Sequence, residues 1–255
     1  MILGTIFIER WRSIDAYLGF LQIQPYNHKK IELVWVLDSC SEKFKNYLKN
    51  WRKKNKDYKR LTWIEVKNHP LEHWQIYQKG LSTPEKRARL AANMRILYNI
   101  AKERDDDLLI IEDDIEPPID AIPRLKKLLK GDCWVAGLPT IIDYENIWGG
   151  TYNFWEIVHI KDNFWEARRF ANQKECLGKI LQVDASGTTC ELISRKFIRT
   201  GFLPYANFPI TGPCGQDIYL GFILKTKYPG KKWLKDTRTF ARHYFEKEYG
   251  RVVIT

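Results

Sequence analysis

The sequence predicts an α/β fold with a mixed central sheet flanked by helices, and three observations carry that expectation. Through roughly residue 115, short apolar runs alternate with helical stretches. Two of those runs end abruptly in acid, one at Asp38 and one at Glu112-Asp113-Asp114. Beyond Lys130 the apolar runs shorten and lie among Gly, Trp and Tyr, so the second half reads as mixed rather than doubly wound.

Taken in order, residues 2 to 8 are β-rich and form a first strand, and Ile14 to Ile23 follows as a helix. Glu32 to Leu37 reads as a buried second strand closing in Asp38-Ser39, ahead of a helix over Glu42 to Lys54. Leu61 to Val66 supplies a third strand, which makes this beginning a parallel βαβ arrangement. Ser82-Thr83-Pro84-Glu85 combines a capping box with a proline in the first turn. It opens a helix to about Arg104 with Leu90, Met94, Leu97 and Ala101 on one face. Asp105 to Asp107 form a polar turn into the short buried strand Leu108 to Ile111. Later strands are expected at Trp134 to Leu138, Phe154 to Ile160 and Glu191 to Ile193.

Composition limits what such a chain can be. Its 255 residues carry 42 Lys+Arg against 31 Asp+Glu, a net charge of +11, with 44% hydrophobic and 14% aromatic residues. That is ample material for a packed core and excludes disordered, collagen-like and coiled-coil classes. No apolar stretch approaches the ~18 to 20 residues of a membrane span. The apolar start meets Glu9 and Arg10 at once and reads as a strand rather than a signal peptide, so the expected location is a cytoplasm. Cysteines 40, 133, 176, 190 and 214 are odd in number and form no Cys-x-x-Cys pair, which argues for core filler over a disulfide framework or a zinc site. The charge is uneven. Residues 29 to 60 hold eleven basic and four acidic side chains, an excess of seven, and residues 225 to 251 hold nine and three, an excess of six. Such patches suit a polyanion or nucleotide phosphates, or are simply a solvated basic face.

The strongest chemical signal is Ile110-Ile111-Glu112-Asp113-Asp114-Ile115. Three carboxylates directly continuing an apolar strand must be solvated, protonated or neutralised by a cation, and oxygen ligands suit Mg²⁺ or Mn²⁺. Ligands of open α/β sheets bind at such strand ends. The alternative is a loop of solvated acids capping the next helix.

On these residues the sequence resembles the GT-A class of nucleotide-sugar-dependent glycosyltransferases, nearest in layout to its large family-2-like group. Glu112-Asp113-Asp114 matches the Glu-Asp-Asp form of that class's metal motif. Further elements follow in the class's order: the small-residue stretch Asp184-Ala185-Ser186-Gly187-Thr188-Thr189, then Gly215-Gln216-Asp217, then Ala241-Arg242-His243. The resemblance spans roughly residues 2 to 245 and implies a Rossmann-like GT-A domain. Residues 1 to 115 would be its nucleotide-donor half and 116 to 255 its acceptor half. It implies Asp114 and His243 as ligands of Mn²⁺ or Mg²⁺, with Glu112 or Asp113 at the ribose or the metal's waters, and Ser186 and Gly187 near the donor sugar. Arg12, Asp38 and Arg87 would contact the rest of the nucleotide-sugar donor, and Lys231, Lys232, Arg238 and Arg242 its diphosphate.

Asp217 is the residue implied as general base of an inverting transfer, since a carboxylate must take the acceptor hydroxyl's proton opposite the leaving diphosphate. Its alternative role is to cap a helix. Gln216 stands where the class usually has Glu, which removes a charge from the acceptor contacts. The aromatic loops Trp148 to Tyr152 and Asn163-Phe164-Trp165 could stack on a sugar or base, or be core and rim. The basic clusters suggest an acceptor such as hydroxylated bases in DNA, of the kind phage enzymes modify, with a polysaccharide as the commoner option. From another class, a non-catalytic nucleic-acid-binding module would share the basic clusters but gain nothing from three acids at a strand end.

Overall fold

The apolar runs at 2–7, 32–38, 108–111 and 190–193 form strands with both faces covered. A computed structural model of the chain describes residues 1–67, 84–142, 154–161, 164–169, 176–204, 210–211 and 215–244. Its first half comprises β1 (Ile2–Phe7), α1 (Ile14–Ile23), β2 (Glu32–Asp38), α2 (Glu42–Lys54), β3 (Arg60–Val66), α3 (Pro84–Arg104) and β4 (Leu108–Ile111). After β5 (Ile115–Glu116) and α4 (Ala121–Leu128) come β6 (Cys133–Gly137), β7 (Thr140–Ile142), β8 (Phe154–Lys161) and β9 (Phe164–Arg169). The chain continues through β10 (Ile180–Val183), β11 (Ala185–Ser186), β12 (Cys190–Ile193), α5 (Arg195–Ile198) and β13 (Ile210–Thr211). It ends with α6 (Gln216–Lys227), β14 (Lys232–Asp236) and β15 (Ala241–His243).

The main sheet has eight strands in the order β10-β14-β6-β12-β4-β1-β2-β3. β1 pairs in parallel with β2 and β4, and β2 with β3, as the βαβ pattern requires. β12 enters between β4 and β6 antiparallel to both, β14 runs parallel to β6, and β10 runs against β14. The sheet is therefore mixed, with β10 and β12 opposed to the other six strands.

Strand alternation divides the interior in two. Leu3, Phe7, Leu33, Trp35, Leu37, Leu109 and Ile111 join one core with α1, α2 and α4. Their neighbours Ile2, Ile6, Val34, Val36, Leu108 and Ile110 join the other with α3, α5 and α6. Two smaller sheets, β11-β8-β9-β13 and β5-β15-β7, lie outside the main one. The second has a direct consequence for the site: β15 pairs antiparallel with β5, setting His243 opposite Ile115, the residue after the acid cluster.

The polar turn at Asp105 to Asp107 is structural, as its composition suggested. Asp105 pairs with Arg199, Asp106 with the amino terminus and Asp107 with Lys126. The four described cysteines are free and buried. Ser82 and Thr83 of the expected capping box, the loop 148 to 152, Asn163 and Cys214 lie outside the described residues.

Candidate active site

β4 is wholly buried and its register is fixed on both sides, so the chain leaves the sheet at Glu112 with little freedom. The Glu112 N–H donates to Thr189 O at 3.1 Å, and a turn over 113 and 114 follows, closed by Ile115 N–H on Glu112 O at 3.1 Å. The three acids then part. Asp113 is buried, accepting from Ile8 N–H at 2.9 Å while Ser13 Oγ donates to its carbonyl at 2.8 Å. Burial pushes its carboxyl up to about 6, although Arg10 and the Ile8 amide both favour the charged form. Glu112 and Asp114 converge with His243 instead, one ligand atom of each lying within 4.8 Å of the others. His243 Nε2 is 2.9 Å from Asp114 Oδ2, and Tyr244 N–H donates to Asp114 O at 2.8 Å. Burial pulls the His243 imidazole down to about 4, so it is neutral at ordinary pH, the form in which an imidazole ligates a metal.

These residues fit a divalent cation. Asp114 Oδ1 is buried with no hydrogen-bond partner, a costly state for a carboxylate oxygen that a ligated cation would relieve. The donor set, two carboxylates and an imidazole, supplies the oxygen and nitrogen ligands that a divalent cation takes. Arg10, on the segment after β1, also reaches this cluster: its guanidinium pairs with Asp114 and lies 3.6 Å from Asp113. Sequence reasoning passed over Arg10 in favour of Arg12, which is exposed.

Asp217 sits in the first turn of α6, where the helix dipole favours a carboxylate, and its Oδ1 accepts from Ile218 N–H at 2.9 Å. Burial, with Glu112 nearby as a like charge, nevertheless pushes it up to about 6. Gln216 Nε2 donates to Thr188 Oγ1 at 2.5 Å, which ties the start of α6 to the segment whose Thr189 carbonyl holds Glu112. Asp217 and the metal-ligand cluster therefore share one end of the sheet. Ser186 is buried in β11, opposite Phe154, and Gly187 follows it.

Beneath that segment lies a buried ion pair between residues far apart in the chain. Lys235 on β14 pairs with Glu191 on β12, and Trp233 Nε1 donates to Glu191 at 2.9 Å. Lys235 Nζ also donates to Leu138 O at 3.2 Å and Gly187 O at 3.5 Å. Gly137 on β6, the strand between, has no room for a side chain: a Cβ there would fall 1.9 Å from a Glu191 oxygen.

Asp38 closes β2 at the same sheet edge but does not cap α2, a role taken by Ser41, whose Oγ accepts from Phe44 N–H at 3.3 Å. Its carboxylate is held by Arg89 and by Asn93 Nδ2 at 2.6 Å, two α3 residues one helical turn apart. Arg87, two positions earlier on α3, is half-buried and on a different face from Arg89. Of the basic residues expected at a diphosphate, Lys231 pairs with Asp132 and, with Lys232, opens β14 at the opposite edge from the acid cluster. Arg238 pairs with Asp236, and Arg242 with Glu116.

No family model matches the sequence, and no curated protein matches it. Solved structures do share its fold. It is similar to GalNAc-T7 solved with UDP, GalNAc and Mn²⁺, at 13% identity over 96% of this chain and 44% of that one, with a TM-score of 0.59. It is similar to the mannosyltransferase PcManGT of Pyrobaculum calidifontis solved with GDP-Man and Mn²⁺, at 10% identity over 97% of this chain and 58% of that one, TM-score 0.56. TarS of S. aureus, residues 1-349 with UDP-GlcNAc, is similar at 9% identity over 96% of this chain and 58% of that one, TM-score 0.54. The chain thus spans about half the length of these structures. With the mixed eight-stranded sheet and its flanking helices, that likeness establishes the GT-A fold for this chain.

Proposed function

We propose that the protein is a metal-dependent glycosyltransferase that moves a sugar from a nucleotide diphosphate donor to an acceptor hydroxyl. The observation that carries this reading is the convergence of Glu112, Asp114 and His243 at the sheet edge that also holds Asp217. Mn²⁺-containing structures among those of the same fold support it. Glu112, Asp114 and His243 would hold the cation, which neutralises charge on the departing diphosphate when bound. Asp217 accepts the acceptor hydroxyl's proton as that oxygen attacks the anomeric carbon, the role of a base in an inverting displacement. A carboxyl at about 6 is mostly ionised at neutral pH and still basic enough for the task. Asp38, oriented by Arg89 and Asn93, together with Arg12 and Arg87 serves the nucleotide end, while Ser186 and Gly187 flank the sugar. Residues 1 to 115 then form the donor half and 116 to 255 the acceptor half.

For the acceptor we favour a polyanion, and specifically DNA carrying hydroxylated bases. Lys29, Lys30, Lys53, Lys54, Lys56 and Lys59 are all exposed near the amino ends of β2 and β3, which supports a basic face for such an acceptor. A polysaccharide is the alternative acceptor. Titration calorimetry with a panel of nucleotide diphosphates and nucleotide sugars, with Mn²⁺ and with EDTA, tests the donor site. One nucleotide should bind only with Mn²⁺, and Asp114→Ala should abolish that binding. Failure of every nucleotide under both conditions would leave the basic face as the protein's function and favour a nucleic-acid-binding module.

A further inference from the structure

We propose that Arg10 is a tethered counter-ion that fills the cation position beside Asp113 and Asp114 in the metal-free protein, and that metal binding expels it. The inference rests on the metal-site reading above. Arg10 Nη1 pairs with Asp114 Oδ2, the oxygen that lies 2.9 Å from His243 Nε2, and a cation on the unpartnered Oδ1 would share that same buried carboxylate with the guanidinium. Arg10 Nη1 also lies 3.6 Å from Asp113 Oδ1. A guanidinium and a divalent cation held on the two oxygens of one carboxylate repel each other strongly in a partly desolvated site. One must leave.

The surroundings decide which part of the chain moves. The backbone before Arg10 is pinned: Glu9 adopts a left-handed φ of 66°, and its carboxylate accepts from Ser41 N–H at 2.7 Å and Ser41 Oγ at 2.6 Å. On the other side Ser13 Oγ is bonded to Asp113 O. The Arg10 side chain alone is 23% exposed, which gives it an open side through which to withdraw. Exchange is therefore a side-chain event, and the paired acids are neutralised in both states, by Arg10 without metal and by the metal with Arg10 withdrawn. Metal affinity is then set by a difference between two cations and not by the carboxylates alone.

Calorimetry with Mn²⁺ alone, without nucleotide, tests this. Arg10→Gln should bind Mn²⁺ about tenfold more tightly than the parent protein, the effect of one charge-assisted pair no longer displaced. It should melt at a lower temperature without metal and gain more from added Mn²⁺. Arg10→Lys, which keeps the charge but loses the planar fork, should fall between, and decides the matter if Arg10→Gln does not fold. Simple repulsion at a distance would produce part of this shift, so displacement is read directly. In arginine-¹⁵N-labelled protein, the guanidinium resonance missing from Arg10→Gln should pass from restrained to solvent-averaged on saturation with Mg²⁺. An unmoved resonance, or Mn²⁺ affinity equal or weaker in Arg10→Gln, would overturn the exchange while leaving the metal site standing. Absence of Mn²⁺ binding in both proteins would overturn both.

Discussion

Burial pushes the Asp217 carboxyl up to about 6, and the sign of the resulting pH dependence is fixed. A base must be ionised, so transfer should fall tenfold per unit as pH drops below about 6 and level off above it. Asp217→Asn should lower kcat by about 10²- to 10⁴-fold with little change in Mn²⁺-dependent nucleotide binding, measured on the same preparation. Equal loss of binding would assign Asp217 to the donor site instead. At this scale some of the site was legible and some was not. Glu112 to Asp114 stand out because charge continuing an apolar strand needs an explanation, and Asp38 for the same reason. Arg10 could not be read, because only the parallel pairing of β1 with β4 brings residue 10 to residue 114. Arg89, which holds Asp38, carries no signal of its own in the sequence, because only the packing of α3 against β2 brings the two together.

Among the elements, β12 and its neighbours bear the tightest constraint. Glu191 and Lys235 face each other across β6 with nothing but Gly137 between, and both are fully buried. Burial pushes Glu191 up to about 7 despite its partner, so the pair is held at a cost. Lys235→Met alone should therefore destabilise by about 3 kcal/mol, since it strands a buried carboxylate. The double variant Glu191→Gln with Lys235→Met should recover much of that loss in chemical denaturation. Gly137→Ala should be as damaging as the single variant, because its Cβ would overlap the Glu191 carboxylate. The sequence marks β12 as a strand by its apolar residues, whereas its polar member, Glu191, finds its cation more than forty residues on. Only the sheet order makes them neighbours.

For the molecule as a whole, the separation of charge is the feature with functional reach. α2 begins after β2, at the sheet end that carries the acid cluster, and its thirteen residues set Lys53 and Lys54 about 20 Å along the helix from that start. A polymer bound there would be held at a distance from the reacting hydroxyl. Lys53→Glu with Lys54→Glu should reduce retention on duplex DNA and flatten its salt dependence while leaving Mn²⁺-dependent nucleotide binding intact. Retention equal to the parent's would exclude this face as the docking surface. The mixed architecture was legible at this scale, since the βαβ rhythm visibly stops after β4, but the strand order was not, because periodicity says nothing about which distant strands meet. That order also sets a timetable for synthesis. β4 gains one neighbour from β1 early, yet its other edge must wait for β12, where Cys190 pairs with Ile111. At ribosomal speeds the intervening residues take roughly 4 to 16 s to emerge, and throughout that interval Leu108 to Ile111 present an open, uncharged strand edge. The nascent chain therefore carries that open edge through the middle of its synthesis, from residue 111 to residue 190, and it is there that misassembly is to be expected.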